Sequence, residues 1–421
     1  MLNYLYWQED EWARIMWHNF YEQEKNIDYV YIGSSHVYCD LNPEILDEKN
    51  GKNNFNMSTS SQRLIESYYL LREVDRKHKV EKVYLELYYS LSTGINGDYR
   101  QKITVQNGWR GMNFMKGSFY KTEALLSMNP AQYYPEAFFP FIRYREHLMD
   151  GNWIKERADY KNTENYKKFI YNDGTTEYKD KGYLYTTREL SDLFTRRDRE
   201  PEEMYLTDDA EEYLRKIIEY CQKKKVQITL FSSPIYETQL MANENYDQYV
   251  DDVKKIASEY GIAYYDFNMA KEEYLPIWYP EYFRDVGHLN ARGAELYTNF
   301  FHQVVSGTPE DNVEYFYDTY REKLEYSKPN VYGVYCYNLD EPEFQEDGEL
   351  KKMQRMVIAS NTERKLEYRV LLTPDEGKTV LQQDFSVNKE FDISAQENGL
   401  CEVIWRDAES GGKGGRIEVR Y

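Results

Sequence analysis

The 421-residue chain has only four cysteines, Cys39, Cys221, Cys336 and Cys401, and no two stand in a Cys-x-x-Cys pair. That spacing excludes the common zinc and dithiol motifs. No metal and no organic cofactor is expected. Cys336 and Cys401 both fall in expected C-terminal strands, so a disulfide between them in an oxidising compartment stays open. No apolar run reaches about 18 residues, which excludes an encoded membrane-spanning helix. Met1 is followed at once by Leu2-Asn3-Tyr4-Leu5-Tyr6-Trp7, which does not read as a secretory signal. Positive charge is also short: 53 Lys and Arg against 73 Asp and Glu leave a net charge of −20. Nucleic acid and anionic membrane surfaces are therefore poor main partners. Basic clusters such as Arg196-Arg197-Asp198-Arg199 are short and interrupted, and read as solvated surface.

Tyrosine, by contrast, is abundant, with 44 copies, and tryptophan adds 7. A tyrosine couples an apolar ring to a hydroxyl that needs a partner. Such residues suit carbohydrate stacking or protein contacts, and the plainer alternative is core packing. No long low-complexity tract interrupts the chain, and its length fits two or three globular domains of ~100–200 residues.

Apolar runs at 28–32, 55–57, 80–89, 226–231 and 263–267 read as strands. Between them, 61–77, 210–224 and 246–260 carry helical spacing. Asn42-Pro43 opens a short helix, Thr207 caps the helix over 210–224, Gly261 closes the next one, and Asn290 caps a last helix over 291–305. Strands alternating with helices predict a mostly parallel sheet covered on both faces, with ligands outside the C-terminal strand ends. Residues 90–205 break this pattern, being aromatic and weakly periodic, and read as an insertion or lid. From about residue 329, short alternating runs (331–337, 353–359, 366–372, 380–385, 401–405 and 417–421) predict a β-sandwich. Residues 308–328 read as a connector.

At the end of the first strand stands Gly33-Ser34-Ser35-His36. Far down the chain, before the last helix, stands Asp285-Val286-Gly287-His288-Leu289-Asn290-Ala291-Arg292-Gly293. A serine hydroxyl is a poor nucleophile without a base in hydrogen-bond reach, and the base needs an acid to fix its tautomer. Asp285 and His288 supply acid and base from one tight loop, at the same sheet edge as the serines.

A strand ending in Gly-x-Ser, with a late Asp-x-x-His before the final helix, resembles the SGNH/GDSL hydrolase superfamily. Gly-Ser-Ser-His together with Asp-x-x-His-Leu-Asn-x-x-Gly-Ala is similar to a bacterial branch that modifies cell-surface polymers. That branch includes the alginate acetylation proteins and the D-alanyl-transfer protein of teichoic acid operons. The resemblance covers roughly 25–90 and 205–305. It implies a flavodoxin-like three-layer α/β sandwich over 28–307, here with the insertion 90–205 and a β-sandwich accessory domain over 329–421. Ser35 matches the nucleophile, His288 the base and Asp285 the orienting acid, with the Ser35 N–H as one oxyanion donor. The family's second-block glycine is absent from Phe55-Asn56-Met57-Ser58-Thr59-Ser60-Ser61-Gln62, leaving Ser58, Asn56 and Gln62 as candidates there. The third-block Gly-x-Asn is absent too, and Val83-Tyr84-Leu85-Glu86 takes its place. Glu86 is expected to anchor a loop. His36, Arg143 and Arg145 are candidate substrate contacts, each with a structural hydrogen bond or ion pair as the alternative.

The resemblance implies serine-dependent acyl transfer, with O-acetylation of a cell-surface polysaccharide or similar glycan foremost and a membrane-bound acyltransferase as acyl donor. An esterase of the same fold is one alternative. A non-catalytic glycan-binding or scaffold protein is another. Residues 21–28 resemble the segment after an N-terminal membrane anchor, so 1–27 is expected to follow a missing anchor and the protein to lie outside the cytoplasm, at the cell envelope.

Overall fold

A computed structural model describes residues 11–99, 102–197, 200–241, 243–308, 312–339, 343–344, 350–351, 353–361, 366–395 and 398–421. The basic run at 196–199 therefore lies partly outside the described residues, as do the first ten residues.

Five strands build a central parallel sheet: β1 (Tyr29–Gly33), β2 (Asn54–Ser58), β3 (Lys82–Glu86), β4 (Gln227–Ser232) and β5 (Tyr264–Asp266). Their order is 2-1-3-4-5. Alternate residues point to opposite faces. Val30, Ile32, Val83 and Leu85 enter one core with helices α1 (Glu11–Tyr21), α4 (Leu64–Lys77), α5 (Asp208–Lys224) and α6 (Tyr246–Glu259). Tyr31, Tyr84 and Phe231 enter the other core, with α2 (Ser35–Asp40) and α7 (Ala291–Ser306); α3 (Pro43–Asn50) adds Leu46 to it. Both sheet faces are thus covered, as near-continuous apolar strands require. The caps are where the sequence signals put them. Thr207 Oγ1 accepts the Ala210 N–H, Asn42 Oδ1 accepts the Glu44 N–H, and Gly261 takes φ +65°.

The N-terminal helix α1 is part of this body. Ala13, Ile15, Met16, Trp17 and Phe20 are buried, and the Trp17 indole N–H donates to Gly111 O at 2.7 Å. The aromatic stretch 90–205 folds largely into helices, the longest being Lys102–Asn113, Phe119–Met128 and Gly151–Asn162. Its last strand, Phe194–Arg197, leaves that body and pairs in parallel with β6 (Val331–Asn338). Its parallel partner lies more than a hundred residues away, so no local pattern marked the join.

β6 belongs to a four-stranded sheet with Phe194–Arg197, β7 (Met353–Ser360) and β10 (Glu390–Ser394). A second, antiparallel sheet contains β8 (Leu366–Pro374), β9 (Val380–Ser386), β11 (Gly399–Asp407) and β12 (Lys413–Arg420). Their inner faces share one core, with Val334, Met356, Tyr368, Val370 and Val403 fully buried. Cys336 and Cys401 are both free and buried there. The helix α8 (Tyr320–Tyr326) fastens the connector to the α/β body. Lys323 Nζ pairs with Glu237, donates to Asn268 O at 2.8 Å and sits over the Trp278 ring. Among the described residues no helix is long and apolar enough to cross a membrane.

Candidate active site

The Gly-Ser-Ser-His turn sits at the C-terminal end of β1, where the strand order reverses between β1 and β3. Open parallel sheets bind ligands at such points. Glycine is required at 33 because β3 comes close: a Cβ there would lie 2.5 Å from both Cβ and Oε2 of Glu86. Glu86 uses that proximity. Its Oε2 accepts the Ser34 N–H at 2.8 Å, so this buried carboxylate anchors the turn, as expected from its odd position. Ser34 then caps α2, and Ser35 becomes the first helical residue. Its N–H is one of the first-turn amides that a helix cannot satisfy internally.

The second loop is a tight antiparallel hairpin, Phe283–Asp285 against His288–Leu289. Asp285 Oδ1 accepts the Gly287 N–H at 2.9 Å, which closes the turn. Asn290 caps α7 through the Arg292 and Gly293 N–H groups, and its own amide donates to Glu281 O at 2.9 Å. A Cβ on Gly293 would lie 2.2 Å from Tyr282 O, so only glycine fits there. The Tyr236 N–H donates to Val286 O at 3.0 Å and steadies the hairpin tip.

The two loops bring three side chains into one chain of hydrogen bonds. Ser35 Oγ lies 2.7 Å from His288 Nε2, and His288 Nδ1 lies 2.7 Å from Asp285 Oδ1. Burial lowers the pKa of His288, with His36 and Arg284 adding to the effect and Asp285 opposing it; the net value is below 6.5. The imidazole is therefore neutral near pH 7, able to accept a proton at Nε2. Burial works against the Asp285 carboxylate, but His288, the Arg284 guanidinium and the Gly287 N–H outweigh it and hold the group well below the usual carboxylate range. Arg284 Nε donates to Asp285 Oδ2 at 3.0 Å.

One positioning residue carried no sequence signal. Asp40, at the end of α2, is fully buried, and its Oδ1 accepts the Leu289 N–H at 2.9 Å. It ties the helix that begins with Ser35 to the residue after His288. A lone Asp in Val-Tyr-Cys-Asp reads like any helix-end carboxylate until the two loops meet.

The other candidates are distributed differently. Ser58 is buried across from Gly33 in the β1–β2 register, and its Oγ has no hydrogen-bond partner. Asn56 donates its amide to three backbone carbonyls, those of Val37, Leu41 and Gly182, so it staples α2 to the insertion. Gln62 ties its loop to α4, donating to Ser67 Oγ and accepting from Thr59 Oγ1. Ser61 in this loop has φ +52°, a left-handed conformation that disfavours serine and occurs where glycine is common in turns. His36 is buried with its ring 4.9 Å from that of His288. Arg143 and Arg145 are not brought to the triad. Arg143 stacks on Trp109 and donates to Ala137 O and Asn113 Oδ1, while Arg145 pairs with Glu136. Both serve as struts of the insertion, which is the structural alternative in each case. Trp12, Tyr38 and Arg284 gather beside the site: the Trp12 and Tyr38 rings are 5.6 Å apart, and the Arg284 guanidinium lies 6.0 Å from the Trp12 ring. Among the described residues no group of three or more His, Cys, Asp or Glu is gathered as a metal site requires.

No family model matches the chain, and no curated protein matches it. Among solved structures, the chain is similar to a provisionally assigned acylhydrolase from Bacteroides fragilis. The two share 10% identity over 71% of this chain and 98% of that one, with a TM-score of 0.34. An overlap that loose assigns neither a fold family nor an activity.

Proposed function

We propose that the protein is a serine-dependent acyl-transfer enzyme in which Ser35 is the nucleophile, His288 the general base and Asp285 its orienting acid. The observation that carries this reading is the unbroken chain of 2.7 Å contacts from Ser35 Oγ through His288 to Asp285. The Ser35 oxygen attacks an acyl ester carbonyl while its proton passes to His288 Nε2. Collapse of the tetrahedral intermediate releases the alcohol, which takes the proton back from His288. The acyl group on Ser35 then passes to a second hydroxyl, or to water. The Ser35 N–H is one oxyanion donor in this scheme, and the Ser58–Ser61 loop supplies the other.

The finer reading is O-acetyl transfer to a sugar hydroxyl of a cell-surface polysaccharide, outside the cytoplasm, with a membrane-bound acyltransferase supplying the acyl group. Its support is the Gly-Ser-Ser-His and Asp-x-x-His-Leu-Asn pair of motifs. The test is turnover of p-nitrophenyl acetate by wild type and Ser35→Ala, with and without an oligosaccharide acceptor. Ester cleavage that disappears in Ser35→Ala, with acetylated sugar when acceptor is present, is the expected result. Free acetate alone favours the esterase. Rates equal to buffer for both proteins, with glycan still bound, favour a binding protein.

A further inference from the structure

The base of the proposed triad has a second imidazole at its back. The His36 ring lies 4.9 Å from the His288 ring, with the planes 24° apart. His36 Nδ1 is 2.8 Å from Ser34 Oγ and 3.5 Å from Glu86 Oε1, and Glu86 Oε2 holds the Ser34 N–H. One buried carboxylate therefore fixes both the nucleophile's turn and the second ring. The Tyr88 ring also packs against the His36 ring, with centroids 4.3 Å apart and planes at 66°. Nε2 of His36 is buried without a partner, and Gly287, which carries no side chain, faces it. Only Nδ1 of the ring is hydrogen-bonded, so what the imidazole adds beyond that bond is its face. That aromatic face is presented to the base.

We infer that His36 is a positioning residue for His288: held by Ser34 and Glu86, it backs the base and governs how readily that base takes the Ser35 proton. The inference rests on the triad reading for its link to turnover, but not for its effect on His288. The charged and titratable groups around His36 are Glu86 on β3, Tyr88 just after it, Asp40 on α2, and Asp285 and His288 on the hairpin. Arg284 lies behind Asp285. Burial disfavours a charge on His36, but Glu86, Asp40 and Asp285 together outweigh it and raise its pKa above 6.5. His288 is pushed the other way, below 6.5. Environments that separate two like groups in this manner assign them different roles. At pH values between the two, His36 carries the proton and His288 is neutral. When Ser35 attacks, its hydroxyl proton moves to His288 Nε2 and creates a second positive ring. A cationic His36 opposes that step, and a neutral His36 does not.

The test is nuclear magnetic resonance titration of histidine-labelled protein, in which six histidines must be resolved, alongside the pH profile of ester hydrolysis. His36→Gln removes the facing charge, and the His288 midpoint is expected to rise by about one pH unit. Glu86→Gln keeps both rings and an acceptor for the Ser34 N–H. It is expected to lower the His36 midpoint and bring the two midpoints together, and it serves if His36→Gln fails to fold. A fall in turnover with the His288 midpoint unmoved in both variants overturns the inference and leaves His36 a structural residue. If wild type hydrolyses no ester while the midpoints shift as stated, the acyl-transfer reading fails and the coupling of the two rings stands.

Discussion

Asp40 gives the sharpest test of how the site is assembled. It is fully buried, its Oδ1 accepts the Leu289 N–H at 2.9 Å, and its Oδ2 has no partner. Asp40→Ala leaves the N–H of a fully buried Leu289 without an acceptor, which costs ~1–3 kcal/mol. The same change unties α2 from the hairpin. A displacement of about 1 Å between Ser35 and His288 lowers turnover ~100-fold. Asp40→Asn separates the two effects, because it keeps an acceptor oxygen while removing the charge. Burial pushes the Asp40 carboxyl well above its ordinary value of 3.8, although His36 and the Leu289 N–H favour the charged form. A carboxyl with a raised folded-state pKa weakens the fold progressively as pH rises from the unfolded value toward the folded one. Asp40→Asn is therefore expected to be at least as stable as wild type at pH 7, with the gain vanishing below about pH 4. The assay is urea denaturation at both pH values together with ester turnover. An Asp40→Ala protein with wild-type midpoint and turnover would refute the tie between α2 and the hairpin. An Asp40→Asn protein less stable than wild type at pH 7 would refute the account of the buried charge.

Other consequences are more direct. Gly33→Ala places a Cβ 2.5 Å from Glu86; overpacking there is expected to cost ~1–3 kcal/mol, read as a lower denaturation midpoint. Lys323→Met leaves Glu237 buried without its cation, and the loss is expected to be ~3–5 kcal/mol, since one half of a buried pair is removed. Because the His288 pKa is lowered, ester turnover is expected to fall as pH drops through a value below 6.5 rather than above it. Asp285→Asn removes the charge that opposes that lowering, so the acid limb is expected to move lower still while turnover falls ~10–10⁴-fold.

Much of the α/β body was legible because its signals are local. The apolar run before Gly33, the Thr207 cap, Gly261 and Asn290 each mark an element boundary through the chemistry of a few neighbouring residues. The pairing of Asp285 with His288 was legible for the same reason, the two standing three apart in one hairpin. Other features depend on contacts that no short window contains. Asp40 acquires its role only when Leu289 arrives from 249 residues away. The strand Phe194–Arg197 has the charged, mixed pattern of an edge and finds its partner in the sandwich. Short β10 carried little signal because Glu390–Ser394 is only five residues long, with just Phe391 and Ile393 as its apolar positions. Arg143 and Arg145 suggested substrate contacts by residue type, and the insertion uses them to hold its own carbonyls, Asn113 and Glu136. Asn56 and Gln62 likewise have the right chemistry for a substrate contact and hold backbone and side-chain groups of the fold.

The central claim is that Ser35, and not its neighbour Ser34, carries the acyl group. The two serines differ in surroundings: Ser34 Oγ meets His36 Nδ1, which is backed by Glu86, while Ser35 Oγ meets His288 Nε2, which is backed by Asp285. The most direct measurement is peptide mass spectrometry of protein quenched with acid during turnover of p-nitrophenyl acetate, with Asp285→Asn used to slow deacylation. The account predicts an acetyl group on Ser35 and none on Ser34. An acetyl group on Ser34, or a protein that cleaves the ester without labelling either serine, would contradict it.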